Sequence, residues 1–471
     1  MARQAGSPPP EADTELWHPA RLIPVSGIRG QEEQEKRATS SVLAVMAAVP
    51  DFGKAVLGRI GAPRGHITTF AEVQLRASDG KLSIPDGAIV VERGSTSWRS
   101  LVEVKTGNGR LTSEQVSRYL DMARLHGFDA MVTISNDLTP APDESPVEID
   151  RRKTRKVRLR HMSWWQILTE AIVQHRHHGI ADPDQAWILA ELIAYLDHEN
   201  SGASGFQDMG DKWVRVRDAA RDGTLRVSDP EVHDVASRWD QLVAYLCLGL
   251  SQDLGREVKP VRPRKQTSAE RRDEAVKRLA DNGTLEAALR VPDAVGPLAI
   301  EADLRSRDVR TSVSVDAPQD GRPKTRITWV LRQLHNAPED LRVDVAFPNI
   351  RETSSLLLSE AREYPERLLS SSDPKRPPRT FTLALSRPMG TKRGRGDASF
   401  VKETRRQSVD FYRDLVQGLS AWRPKAPQLP EEPAQQPDSP PESGALIDPP
   451  AGVGHPPSDR GGADRVEFSP L

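Results

Sequence analysis

Cysteine, long apolar runs and an excess of charge of one sign are all scarce in this chain of 471 residues. The single cysteine, Cys247, allows no disulfide within the chain, which favours a cytoplasmic setting. No apolar run approaches the length that crosses a membrane, and Met1 to Glu15 lacks the apolar core of a signal peptide, so no membrane partner is expected. The net charge of −1 excludes a global bias towards nucleic acid, and any electrostatic footprint must be local.

The densest chemical information lies between Pro85-Asp86 and Glu103-Val104-Lys105. The pattern predicts a β-hairpin, with a strand from Asp86, a turn at 93–95 and a second strand that ends at Lys105. Because side chains alternate along a strand, Glu103 and Lys105 point the same way. If Asp86 lies across from them, two carboxylates and an ammonium share one small volume.

This residue set suits a metal-dependent phosphodiesterase. Mg²⁺ prefers oxygen ligands, and Asp86, Glu103 and the backbone carbonyl of Val104 are candidate ligands. Lys105 would orient or activate a metal-bound water, or stabilise negative charge that develops on the phosphate. The alternative is an ordinary strand with a surface salt bridge, because a Glu and a Lys two residues apart are common.

The residues after this strand predict a helix and then another strand. The helix begins near Thr112 or Ser113 and ends at Gly127, and Gln115 and Tyr119 are four residues apart on one of its faces. Residues 128–134 then read as a buried strand.

With these motifs in this order, residues 30–175 resemble the PD-(D/E)XK nuclease superfamily, and in particular its QxxxY-bearing, RecB-like branch. The matching residues are Pro85-Asp86, Glu103-Val104-Lys105 and Gln115-Val116-Ser117-Arg118-Tyr119. The resemblance implies a Mg²⁺ or Mn²⁺ site and cleavage of nucleic-acid phosphodiesters. It also implies that Asp86 and Glu103 are metal ligands, Lys105 the catalytic lysine, and Gln115 and Tyr119 substrate-positioning groups.

Members of this superfamily often carry a further acidic residue on an earlier element, and the chain offers two candidates. Glu35 falls on the apolar stripe of a helix predicted over 31–48. Glu72 falls in a strand predicted over 67–75. Either could instead be a solvated surface residue, and we do not expect both to serve the site.

Basic residues cluster in two places that could contact phosphates. The first cluster covers residues 151–160, and its second half predicts an exposed strand that closes the nuclease sheet. The positive charge of this strand could equally serve to prevent pairing with another chain at the sheet edge. The second is a glycine-rich loop over 390–396, which could equally be a mobile basic loop. The candidate contacts are Arg155, Lys156, Arg158, Arg160, Lys392, Arg393 and Arg395.

The predicted fold class is α/β: a restriction-endonuclease-like mixed sheet flanked by helices, a helical extension, a second α/β domain and a disordered Pro-rich tail. In the second domain we expect a hairpin around 306–308 and a helix over 352–369. The predicted segments are a disordered N-terminus (1–15), the nuclease domain (16–180), the helical extension (181–257), a linker (258–267), the C-terminal domain (268–423) and the tail (424–471).

The predicted function is metal-dependent hydrolysis of DNA phosphodiesters, in defence (restriction) or in repair. Cutting both strands of a duplex would favour a homodimer. The alternative is a nuclease-fold protein that binds nucleic acid without turnover, or a stress-associated interaction protein. No motif distinguishes single-stranded from double-stranded substrates.

Overall fold

The computed structural model of the protein describes residues 21–139, 143–203, 205–263, 266–390, 392 and 396–424. These residues belong to one compact unit that ends at Pro424. Two separate β-sheets with helices packed against them give a mixed α/β architecture, as predicted. The segments predicted as disordered, 1–15 and 424–471, lie outside the described residues apart from Pro424.

The first sheet has five strands in the order β1-β4-β5-β6-β7. Its first three strands pair antiparallel and its last three pair parallel, so α3 is the crossover between β5 and β6. Strands β2 and β3 form a small hairpin of their own. The elements of this half are α1 (Gln31–Ala48), α2 (Pro50–Arg59), β1 (His66–Ala71), β2 (Leu75–Arg76), β3 (Leu82–Ser83), β4 (Gly87–Arg93), β5 (Thr96–Val104), α3 (Ser113–Leu125), β6 (Ala130–Ser135), β7 (Arg158–Ser163), α4 (Trp164–Val173) and α5 (Pro183–Leu196).

Apolar side chains cover both faces of this sheet. Val102 and Val104 of β5 belong to a core shared with α1, α2, α4 and α5. Leu101 and Met131 belong to a second core, which α3 covers. Because residues of β5 alternate between the two cores, Glu103 lies on the α3 face of the sheet.

Helices α1 and α2 meet at a bend of 111°. Among the described residues no single helix is long and apolar enough to span a membrane, although these two pass by length and composition when taken together. Both contribute fully buried side chains to the core of the first sheet, including Val42 and Phe52.

The second sheet has seven strands in the order β13-β12-β14-β11-β10-β9-β8, and every pair of adjacent strands in it is antiparallel. Buried and more exposed residues alternate along the central strands, so one face of the sheet is buried, for example at Ile300 and Val313. The elements of this half are α6 (Trp213–Arg221), α7 (Pro230–Leu254), β8 (Lys259–Pro260), α8 (Ser268–Asn282), β9 (Thr284–Arg290), β10 (Leu298–Asp303), β11 (Asp308–Asp316), α9 (Pro323–Gln333), β12 (Arg342–Ala346), β13 (Thr353–Leu357), α10 (Leu358–Glu363), β14 (Thr380–Pro388) and α11 (Phe400–Asp414).

The helices predicted as an extension of the nuclease domain share their core with this second sheet. Leu242 of α7 and Val216 of α6 belong to the same buried cluster as Leu285 of β9. The indole of Trp239 also donates a hydrogen bond to the carbonyl of Glu286, at 3.0 Å. Apolar burial is therefore continuous from α6 to the end of the second sheet.

The structure confirms the predicted hairpin, which is β10 and β11, and corrects the helix predicted over 352–369. Thr353–Leu357 is a strand instead, and only Leu358–Glu363 is α-helical. The hydroxyls of Thr353 and its neighbouring serines disfavour a helix, and pairing with β12 supplies the backbone hydrogen bonds. Pro365 then prevents the short helix from continuing.

Candidate active site

Asp86 lies where strand β4 begins, beside the end of strand β5. Gly87 pairs with Val102, so the next pair in this antiparallel register sets Asp86 opposite Glu103. The backbone amide of Val104 donates a hydrogen bond to Oδ2 of Asp86 at 2.7 Å. This bond holds the carboxylate over the end of β5.

Glu103 and Lys105 face each other, as predicted. Nζ of Lys105 lies 2.9 Å from Oε1 of Glu103, and the two side chains are only 15% and 2% exposed. The backbone amide of Lys105 donates a hydrogen bond to the carbonyl of Ile134 at 2.8 Å. The carbonyl of Lys105 accepts one from the indole of Trp164, also at 2.8 Å. With its backbone held on both sides, Lys105 presents its ammonium group at a defined point.

Of the two acidic candidates from earlier elements, Glu35 reaches this group. Its Oε2 lies 3.2 Å from Nζ of Lys105. The loop after β5 packs closely on α1 at this point, because a Cβ on Gly109 would lie 2.7 Å from Oε1 of Glu35 and 2.2 Å from Nε2 of Gln31. A side chain at 109 would displace the ends of the Gln31 and Glu35 side chains.

Glu72 makes a different contact. Strand β1 ends at Ala71, one residue before Glu72, whose backbone is left-handed with φ of 51°. Its exposed carboxylate lies 3.2 Å from Nζ of Lys36. The predicted strand over 67–75 was therefore too long, and the turn directs Glu72 to a surface ion pair.

Helix α3 brings Gln115 to the carboxylates and buries Tyr119. Thr112 caps the helix by accepting from the amide of Gln115 at 3.2 Å, and Nε2 of Gln115 donates to Oε1 of Glu103 at 2.5 Å. Tyr119 packs in the core beneath α3, with the Arg118 guanidinium 5.2 Å from its ring centroid. The structure thus places Gln115 at the site and gives Tyr119 a packing role.

The two neighbouring carboxyl groups have strongly perturbed acidities. Burial, and after it the nearby Asp86, raise the pKa of Glu103 to about 8 against the opposing effect of Lys105. Burial also raises the pKa of Asp86, against the effect of its bond from Val104. For Lys105, burial alone would lower the pKa, but attraction to Glu103, Asp86 and Glu35 outweighs burial and raises it.

This donor set fits a divalent cation. Oε2 of Glu103 is buried and has no hydrogen-bond partner, so it is an open acceptor inside the protein. In an extended strand the amide and carbonyl of one residue point to the same edge, so the Val104 carbonyl faces the edge where Asp86 lies. Where the structure describes the chain, no group of three or more His, Cys, Asp or Glu residues is placed to hold a metal alone. Two carboxylates, a carbonyl and water match the usual environment of Mg²⁺.

The basic run over 151–160 lies away from these carboxylates. Arg158 stands in register with Ser100, three residues before Glu103, which is about 10 Å along the strands. Arg155 and Lys156 are exposed and precede this strand. Arg160 donates to the carbonyl of Ile60 at 3.1 Å, so it ties β7 to the end of α2.

The predicted strand in this run is confirmed as β7, the edge strand of the first sheet. In the glycine-rich loop, Lys392 is exposed and forms an isolated bridge with Ser399. Arg393 and Arg395 lie outside the described residues.

Two buried polar residues beside the site were missed from the sequence. Thr133 and His161 stand in register with Glu103 across β6 and β7. Oγ1 of Thr133 and Nδ1 of His161 are 2.9 Å apart, and burial lowers the pKa of His161, which favours the neutral ring. The local signal was weak: Thr133 lies between two apolar residues, whereas His161 follows Arg160, and polar residues at such positions are common on solvated faces.

Comparisons of the chain with protein-family models, with curated proteins and with solved structures find no match.

Proposed function

We propose that this protein is a metal-dependent nuclease of the PD-(D/E)XK type that hydrolyses DNA phosphodiesters. One observation carries the proposal: Asp86, Glu103 and Lys105 share a small volume in which an oxygen of Glu103 is buried and unpartnered. A surface salt bridge would leave Glu103 and Lys105 in solvent, whereas both are largely buried here. Burying two neighbouring carboxyl groups is costly even beside an ammonium group, and a function that needs both groups accounts for that cost.

The topology around this group supports the finer assignment to a restriction-endonuclease-like fold. The carboxylates lie at the junction between an antiparallel pair, β4 and β5, and a parallel pair, β5 and β6. Helix α3 crosses between the parallel strands and supplies Gln115 from its first turn. The resemblance of the sequence implies this combination of mixed sheet, crossover helix and glutamine.

In this proposal each side chain has a distinct task. A bound Mg²⁺ or Mn²⁺ would lower the pKa of a coordinated water and offset charge on the scissile phosphate. Asp86, Glu103 and the Val104 carbonyl would hold the cation. Lys105 would orient the attacking water or stabilise negative charge, and Glu35 steadies its ammonium group. Gln115 fixes the rotation of the Glu103 carboxylate through its hydrogen bond.

A cleavage assay tests the proposal directly. Supercoiled plasmid, linear duplex, single-stranded DNA and RNA are incubated with Mg²⁺, Mn²⁺ or EDTA. We expect the wild type to cut in the presence of metal and Lys105→Ala to lose nearly all activity. Lys54→Ala is the matched control, because Lys54 is an exposed lysine on α2. Linear plasmid formed without nicked circles would indicate that both strands are cut together, as by a homodimer.

The two acidic candidates provide a second, internally matched pair. Glu35→Gln removes a charge that contacts Lys105, and we expect it to slow cleavage. Glu72→Gln removes a charge of the same type at an exposed ion pair and should leave the rate unchanged. Folded wild-type protein that cuts none of the four substrates would contradict the proposal. Nucleic-acid binding that persists unchanged in EDTA would then indicate a binding protein.

A further inference from the structure

Three large apolar side chains are exposed on the segment that leads into Asp86. Phe70, Leu82 and Ile84 are 49%, 52% and 46% exposed. We refer to these three residues as the apolar platform. Exposed apolar side chains of this size that lie together on a surface are typical of a site that receives another molecule.

The register of the sheet sets Phe70 beside the carboxylates. Phe70 pairs with Ala88 on the edge strand β1, and Ala88 belongs to the core on the α3 face. Asp86 precedes Ala88 by two residues and therefore lies on that same face. Diagonal neighbours on one sheet face are about 7–8 Å apart, so the Phe70 ring lies within one nucleotide of the proposed cation site.

The β2–β3 hairpin carries the rest of the platform and is joined to Asp86. The amide of Glu72 donates to the carbonyl of Asp86 at 2.9 Å, and the amide of Val73 donates to that of Pro85 at 3.1 Å. Leu82 and Ile84 occupy alternate positions before Asp86, so they lie close to it along the chain.

A cation stands next to these apolar side chains. Arg76 is the cross-strand partner of Leu82. Its guanidinium donates to the carbonyl of Gly80, and in the part of the chain that is described no carboxylate forms an ion pair with it. An exposed Arg beside an apolar surface matches a ligand that has both a phosphate and an aromatic ring.

We propose that the apolar platform binds an unpaired nucleobase next to the phosphate held at the candidate active site, which makes single-stranded nucleic acid, or a frayed end, the substrate. This inference rests on the proposed nuclease function. A base inside a duplex keeps its faces stacked on its neighbours, whereas an unpaired base can stack on Phe70. Continuity with the proposed cation site favours a nucleic-acid strand as the occupant over a second copy of the chain.

The test measures binding without turnover. Full-length Lys105→Ala protein in EDTA is titrated with fluorescein-labelled single-stranded DNA, and fluorescence anisotropy reports the affinity. Adding Phe70→Ala should weaken binding between about fivefold and a hundredfold. Phe70→Trp should restore it, because the indole also stacks. Trp187→Ala is the control, since Trp187 is an aromatic residue on α5 that is 55% exposed.

A second oligonucleotide set isolates the base. A matching strand of abasic sites keeps the phosphates, so Phe70→Ala should bind it as well as the parent does. Equal affinity of the Lys105→Ala parent and its Phe70→Ala derivative for intact single strands would overturn the proposed role of the apolar platform. That conclusion would hold even if the wild type cleaves DNA. A dimer in sedimentation that Phe70→Ala dissociates would also overturn it, because the surface would then join two copies. Base-dependent binding without any cleavage by the wild type would support the platform and refute the nuclease.

Discussion

The raised pKa of Glu103 leads to a quantitative prediction about folding stability. Glu103→Gln keeps the shape and the acceptor oxygen of the side chain but removes its charge. In the folded protein the pKa of Glu103 is raised from the ordinary 4.5 to about 8. One pKa unit corresponds to about 1.4 kcal/mol, so ionising this group in the folded state costs up to about 5 kcal/mol.

The sign of the pH dependence follows from the direction of the shift. Below pH 4.5 Glu103 is protonated in both the folded and the unfolded protein, so its ionisation does not reduce the free energy of unfolding. Between pH 4.5 and about 8 the unfolded chain releases its proton first, so the wild type loses stability relative to Glu103→Gln as the pH rises. We expect the variant to be more stable by up to about 5 kcal/mol at pH 8, and nearly equal to the wild type at pH 4.5.

Urea unfolding in EDTA at several pH values measures this difference. Glu72→Gln is the control, because it makes the same substitution at an exposed carboxylate. If a cation binds the carboxylates, adding Mn²⁺ should stabilise the wild type more than Glu103→Gln. The difference between their free energies of unfolding should then become smaller. Parallel stability profiles for the wild type and Glu103→Gln between pH 5 and 8 would refute the reasoning.

Three further substitutions test packing and hydrogen-bonding contacts in the first half of the chain, each by thermal or urea unfolding. Gly87→Ala should cost about 1–3 kcal/mol, because its Cβ would lie 2.7 Å from the backbone oxygen of Phe70 and 2.5 Å from Cδ1 of Leu43. Trp164→Phe should cost about 1–3 kcal/mol, since the carbonyl of Lys105 loses its indole donor. Glu170→Ala should cost about 1 kcal/mol, because Arg59 loses a carboxylate at 2.6 Å but keeps the carboxylate of Glu257 at 2.8 Å.

Two of these have close controls in the same chain. A Cβ at Gly58 on helix α2 would meet no atom within 4 Å, so Gly58→Ala should not destabilise the protein, in contrast to Gly87→Ala. Trp165 is the residue after Trp164, but its indole nitrogen is buried without a partner, so Trp165→Phe should cost less than Trp164→Phe. Equal losses within either pair would contradict the role assigned to the contact.

Local patterns predicted the elements around the site well. The alternation of β5 predicted that Glu103 and Lys105 share a face, and their side chains do meet. The helix predicted to begin near Thr112 or Ser113 begins at Ser113, with Thr112 as its cap. Helical spacing also marked Glu35 as unusual on its apolar stripe, and that carboxylate contacts Lys105. These predictions succeeded because periodicity and capping act within a few residues of the chain.

Predictions that depended on distance between segments were less successful. Glu35 and Glu72 were equivalent candidates in the sequence. In the structure, the left-handed backbone of Glu72 at the end of β1 distinguishes the two, because it directs Glu72 away from the site. The basic run looked like a nuclease surface, but the parallel register sets Arg158 about 10 Å back along the strands from the row of Glu103. The role of Thr353–Leu357 as a strand also required its partner β12.

The sequence by itself determined which residue types could carry out the chemistry, their order, and the face on which each lies within its own helix or strand. Only the tertiary structure decided that Asp86, Glu103, Lys105 and Glu35 meet, and that one oxygen of Glu103 remains buried without a partner. It also decided that Phe70 stands beside them on an edge strand. The physical reason is that strand register and helix packing are set by burial of apolar side chains far apart in the chain, which no local pattern records.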